Sequence, residues 1–159
     1  MARVVLRNIT PENFKECLEL KVAKAQKDLV ASTVKSLAQA YVYGGMLPYA
    51  VYDASGPSWK PPQMVGFTMC EIANGIGFIT RVIVDEKHQG KGYGKAIVLE
   101  LIRKLESDPE VETIATSHLK RNKAAGRLFS ACGFKEWSPE WASEMPDRRV
   151  LRLKKEKDD

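Results

Sequence analysis

Val82-Ile83-Val84-Asp85-Glu86-Lys87-His88-Gln89-Gly90-Lys91-Gly92-Tyr93-Gly94-Lys95 sets three apolar β-formers before a polar turn and a loop with glycine at every second position. Ile97, Val98, Leu101, Ile102 and Leu105 then recur at three- and four-residue spacing, one face of a helix. The order is strand, glycine loop, helix. Glycines in such a turn let the backbone approach a ligand and leave N–H groups pointing outward at a helix N-terminus, which suits an anion. A Walker A loop fails on register: the position five before Gly94 is Gln89, and Lys95 is followed by Ala96. A G-x-G-x-x-G fingerprint fails too, ending on Lys95 when counted from Gly90 and on Ile97 when counted from Gly92. The spacing that fits is the [QR]-x-x-G-x-[GA] pyrophosphate loop, with Gln89, Gly92 and Gly94 in its fixed places.

Upstream of this segment, Met64 to Cys70 and Ile76 to Val84 are β-rich runs separated by Asn74-Gly75, the dipeptide that most readily supplies two positive φ angles. They predict an antiparallel hairpin. Before it come a strand at Val4 to Leu6 and a helix starting at Thr10-Pro11 with Phe14, Cys17, Leu18, Lys21 and Val22 along one side. A second helix follows, capped by Ser32 or Thr33 and closed by Gly44-Gly45, and then a strand from Tyr49 to Tyr52. Asp53 to Pro62, with Gly56 and three prolines, reads as a surface loop. Downstream, Asp108-Pro109 stops the helix and Thr113 to Ser117 forms a strand. Asn122 caps a helix through Ala125, Leu128, Phe129 and Cys132, with Gly133 at its C′ position. Strands are expected around Phe134 to Trp137 and Arg149 to Leu153. The fold class is α/β (α+β), a mixed, mostly antiparallel central sheet flanked by helices.

The chain has 159 residues, 44% hydrophobic and 28% charged, which fits one domain over 1–153 with a frayed charged tail at 154–159. No apolar run approaches the ~20 residues that span a bilayer, and the N-terminus carries charges where a signal peptide needs its apolar centre, so a cytoplasmic protein without a membrane partner is expected. The formal charge of +5 comes from interspersed signs and lacks aromatic interleaving, which argues against a nucleic-acid partner. Cys17, Cys70 and Cys132 are an odd count without C-x-x-C spacing, and neither His88 nor His118 lies in ligand spacing, so no metal is expected.

The chain resembles the GNAT superfamily of acyl-CoA-dependent N-acetyltransferases. The resemblance covers most of the chain and rests on motifs in family order: Gly66-Phe67, the Val82 to Val84 strand, the Gln89 to Lys95 loop, and the N-x-x-A-x-x-L-[YF] helix read as Asn122, Ala125, Leu128 and Phe129, followed by Gly133-Phe134. The overall pattern looks nearest the polyamine and diamine acetyltransferase branch. It implies acetyl transfer from acetyl-CoA to a primary amine of a small molecule or peptide, within a ternary complex. By resemblance, Gln89, Gly90, Lys91, Gly92, Tyr93, Gly94 and Lys95 cradle the pyrophosphate, and the backbone of Val82, Ile83 and Val84 pairs with the pantetheine arm. Asn122, Ala125 and Phe129 flank the other side of a cleft where two strands splay. A homodimer is compatible with it.

Two positions depart from the family pattern. Where many relatives carry a tyrosine whose hydroxyl protonates the departing sulfur, this chain has Phe129. Where polyamine-acetylating relatives carry an acid on the strand before the loop, it has Thr80 and Arg81, which count against a polyamine acceptor. Glu71 is the best remaining candidate base, acting through water, with Asp85 second. These losses keep a rival in play, a non-catalytic acyl-CoA-binding or regulatory domain.

Overall fold

Val4–Asn8 (β1), Phe14–Leu18 (α1), Thr33–Val42 (α2), Met46–Asp53 (β2), Met64–Ala73 (β3) and Ile76–Val84 (β4) make the first half of the chain. Tyr93–Glu106 (α3), Thr113–Leu119 (β5), Lys123–Ala131 (α4), Phe134–Glu136 (β6) and Arg148–Leu153 (β7) complete it. This computed structural model describes residues 1–153, so the tail expected to fray lies outside the described residues. The strands form a seven-stranded sheet ordered β1-β2-β3-β4-β5-β7-β6. Only β4 and β5 pair in parallel, because α3 crosses over between them.

Asn74 and Gly75 take φ of 52° and 78°, the two left-handed residues that close the β3–β4 hairpin. Glycine is demanded at Gly66 for another reason: a Cβ there would collide with the carbonyl oxygen of Ile83 on the neighbouring strand. Helices cover both sheet faces. On one, Ile97, Val98, Leu101 and Leu105 of α3 pack with Phe129 of α4 against Val65, Cys70, Ile79 and Ile114. On the other, Cys17 of α1 and Leu37 and Ala40 of α2 cover Ala50, Phe67, Met69 and Ile83.

The first helix is much shorter than the expected run from Thr10 to Val22. The Asn13 side chain accepts from Thr10 N at 2.8 Å and donates to Asn8 O at 3.0 Å, and the Asn13 N–H that a Thr10 hydroxyl would cap donates to Thr10 O at 3.2 Å in a backbone turn. Past Leu18 the chain is fastened elsewhere: Asp85 Oδ1 accepts from Lys21 N at 3.0 Å, and Glu86 N donates to Lys21 O at 2.6 Å. Asp85 thus holds this loop to the end of β4. Ser32 caps α2 and Asn122 caps α4 as the sequence predicts, and Gly133 takes φ of 96° beyond α4. The long β6–β7 connection holds a short 3-10 turn, Glu140–Glu144, whose Trp141 packs edge-on to Phe78 and Trp137.

Candidate active site

The parallel pairing of β4 with β5 runs only from Ile76↔Thr113 to Ile79↔Thr116. Thr116 Oγ1 donates to Ile79 O at 2.9 Å, and beyond that bond the strands part. On β5, residues 117–119 keep their pairing with β7, while on β4 the register against β3 jumps: Met69 faces Arg81 and Cys70 faces Ile79. Thr80 is therefore an extra residue, a β-bulge, fixed by its hydroxyl donating to Met69 O at 2.8 Å. The bulge bends β4 away from β5, and the edge that residues 80–84 present to β5 stays unpaired. The wedge between the strands continues into a cleft of about 560 Å³ bounded by both strands, the loop before α3, α4 and the segment from Val22 to Lys35.

One end of the cleft suits phosphate groups. Gly90 and Gly92 take φ of 76° and 86°, and Gly92 stands at the N-cap of α3 with no side chain capping the first-turn amides. A Cβ at Gly90 would meet nothing within 4 Å, so the glycine answers to backbone conformation and not to crowding. These free N–H groups and the positive end of a 14-residue helix face the cleft mouth. The Gln89 side chain is drawn inward, its Nε2 donating to Val84 O at 3.1 Å and to Gln26 Oε1 at 2.8 Å.

The other end, on the α2 face of the sheet, is cationic. Arg81 donates from Nε to Ser36 Oγ at 3.2 Å, from one terminal nitrogen to Thr80 O at 2.8 Å and from the other to Gln39 Oε1 at 2.6 Å. Arg148, at the start of β7, donates to Ser117 Oγ at 2.8 Å and Ser117 O at 3.2 Å. Burial and the charge of Arg148 both hold the Arg81 guanidinium below its ordinary pKa. Burial likewise lowers that of Arg148, against an opposing pull from Asp147.

Of the residues expected at the site, the structure gathers Val82, Val84, Gln89, Gly90, Gly92, Tyr93, Gly94, Asn122, Ala125 and Phe129 along the cleft. Ile83 does not line it: alternation along β4 turns its side chain into the core beneath α2. Lys91 and Lys95 are exposed and outside the lining. Glu71 and Asp85, the two candidate bases, are also outside it. Glu71 sits opposite Phe78 below the point where the strands separate, and the Asp85 carboxylate is taken by the Lys21 amide. Phe129 is 5% exposed, its ring edge-on to Phe134 at 5.4 Å, so it is both core and cleft wall.

Arg148, Ser117 and His118 also line the cleft. His118 is buried, with Nδ1 2.8 Å from Leu119 O and Nε2 without a hydrogen-bond partner, pressed under Gly126 of α4. Period-two alternation on β5 puts His118 on the same face as buried Ile114, a signal readable from sequence once the strand is extended to Leu119. The approach of Arg148 depends on the pairing of β7 with β5, which no local pattern reveals.

A parallel strand pair splayed by a bulge lies next to a glycine turn on a helix N-terminus. The acetyltransferase (GNAT) family model matches residues 46–134, from β2 to the start of β6, and the chain belongs to that family. It is an acyl-CoA-dependent N-acetyltransferase. A curated relative, the spermine/spermidine N(1)-acetyltransferase of Bacillus subtilis (strain 168), is 28% identical over 137 residues, covering 81% of this chain and 86% of its own. Among solved structures, spermidine N-acetyltransferase from Vibrio cholerae in complex with CoA and spermine superposes with a TM-score of 0.64 at 17% identity, over 94% of this chain and 93% of that one. The ribosomal-protein-S18-alanine N-acetyltransferase from Escherichia coli gives 0.66 at 16%, over 94% and 92%. The last two share the fold, with acceptors in their names as different as a polyamine and a protein.

Proposed function

We propose that this protein transfers an acetyl group from acetyl-CoA directly to a primary amine of a small molecule or peptide, with both substrates bound at once. The observation that carries this reading is the unpaired edge of β4 beyond Thr80, open to the cleft and aligned with the α3 N-terminus. In it, the amides around Gly90, Gly92 and Gly94 hold the pyrophosphate, and the backbone of residues 82–84 orients the pantetheine arm as an added strand. Gln89 first releases Val84 O, which it holds in the free protein. Lys91 and Lys95 act from the outside as screening charges. Asn122 and Ala125 border the arm on the α4 side.

A backbone N–H of β4 at the wedge polarises the thioester carbonyl, so no dedicated side chain is needed there. The leaving thiolate has a parent pKa near ~8.5, and without a hydroxyl at Phe129 it leaves with water as its acid. Glu71, set back from the cleft, reaches the incoming amine only through water. Glu71→Gln should then lower turnover more at neutral than at high pH, and equal rates for both proteins at every pH would eliminate it as the base. Thiol release from acetyl-CoA across a panel of amines, combined with intact-protein mass, tests the whole reading. Amine-dependent release with no acetyl-protein is expected. An acetylated protein formed without acceptor would replace direct transfer by a two-step route, and CoA binding with no release for any amine would favour the regulatory reading.

A further inference from the structure

The structure assigns the acceptor end of the cleft to an amine that also carries an oxyanion, a carboxylate or a phosphate, which Arg81 and Arg148 grip from the two arms of the wedge. This rests on the proposed amine acetylation and narrows its substrate. Arg81 comes from β4 and Arg148 from β7, which pairs with the opposite arm, β5, so their convergence brackets the opening where the acceptor must enter. Both are half-buried.

Neither guanidinium is spent on a carboxylate: among the described residues the ion pairs are Arg103 with Glu100 and Arg149 with Glu136, both elsewhere. Asp147 attracts Arg148 without pairing with it. Asp28 is the one acidic residue on the cleft wall, exposed, with Lys35 also on that wall. Arg81 has three of its five N–H groups bonded and Arg148 two, all to neutral oxygens. The neutral partners fix the direction of each planar head and leave N–H groups for a further acceptor, the condition for two-point recognition of an oxyanion. Two half-buried like charges side by side are unfavourable until an anion joins them. A polyamine would add a third cation to the same place.

The test compares matched acceptors on the wild-type protein: amino acids against their carboxamides, 2-aminoethylphosphonate, and spermidine, followed by thiol release. The acids should exceed their amides at least ~10-fold in kcat/KM, through KM, with spermidine below the amides, because charge-assisted bonds are worth about one to two decades. Preference for 2-aminoethylphosphonate over the carboxylates would mark the anion as phosphate. Arg148→Gln should pull the acid-to-amide ratio toward one while calorimetry shows acetyl-CoA affinity retained, and Arg148→Lys should restore part of it. Arg81→Gln also cuts the tie to α2, so Arg148 carries the test. Turnover of amides or spermidine equal to or above the acids overturns this inference and leaves amine acetylation standing, whereas no turnover with any amine overturns both.

Discussion

Replacing Gly92 by valine separates strain from recognition. Gly92 holds φ of 86°, and the nearest atom to a new Cβ would be Ala2 Cβ at 3.7 Å, so space does not oppose the change. Conformation does: a single L-residue in the left-handed region costs ~1–2 kcal/mol, more for a β-branched one. The turn can hold its shape, and the cost then appears as lost stability, about 2–8 °C of Tm for a domain of this size. Alternatively the turn relaxes and swings its amides off the phosphate direction. Binding then loses the same ~1–2 kcal/mol together with charge-assisted bonds left unmade, at least ~2 kcal/mol or roughly 30-fold in Kd. For valine the second route is expected, read by calorimetric titration of acetyl-CoA beside a thermal melt, with Gly56→Ala as control because nothing lies within 4 Å of it and its φ is not positive. A variant with wild-type Tm and affinity would refute the conformational argument. A lowered Tm with full affinity would move the phosphate away from this turn.

Phe129→Tyr should raise turnover about tenfold with acetyl-CoA KM unchanged, the lower range of general-acid assistance; flat kinetics with a Tm loss equivalent to ~1–3 kcal/mol would show the hydroxyl stranded against Phe134 instead. Asn122→Ala removes the cap that accepts from Ala125 N at 3.1 Å and should cost ~1 kcal/mol, or about 2–4 °C of Tm, and an unchanged melt would contradict it. Burial pushes the Cys17 and Cys70 thiols up to about 11, so near pH 7 only ~10⁻⁴ of each is thiolate. Their reaction with a disulfide reagent should quicken as pH rises towards 11, with half-buried Cys132 labelled first; rapid labelling of all three in the folded protein at pH 7 would disprove that burial.

The hairpin, the glycine loop and the capped helices were legible because local chemistry specifies them: Asn74-Gly75 can close one kind of turn, and Asn122 caps whatever helix follows it. The opening strand-to-helix passage was not, since a backbone turn takes the Asn13 N–H that a Thr10 cap would use, and Phe14 and Leu18 stay exposed at 45% and 36% despite their helical spacing. The glycine turn at the proposed phosphate end was readable for the same reason as the loop, being backbone. The arginine pair at the proposed acceptor end was not. Arg81 reads locally as a strand intruder and Arg148 as the flank of a last strand, and only the pairing of β7 with β5 brings them to one opening.

Thr80 makes length itself a functional quantity in β4. Side chains on a strand alternate sides, yet Ile79 and Arg81 face opposite sides although two positions apart, so the strand carries one residue more than its alternation needs. Deleting Thr80 would leave Arg81, Val82 and Val84 on the faces they already occupy, but it would remove the bulge and let β4 resume its ladder with β5. Point substitutions along this strand act on one contact at a time, whereas loss of one codon here straightens the strand and closes the opening together. Chains with and without this residue would not be neighbours in function, however alike the rest of their letters.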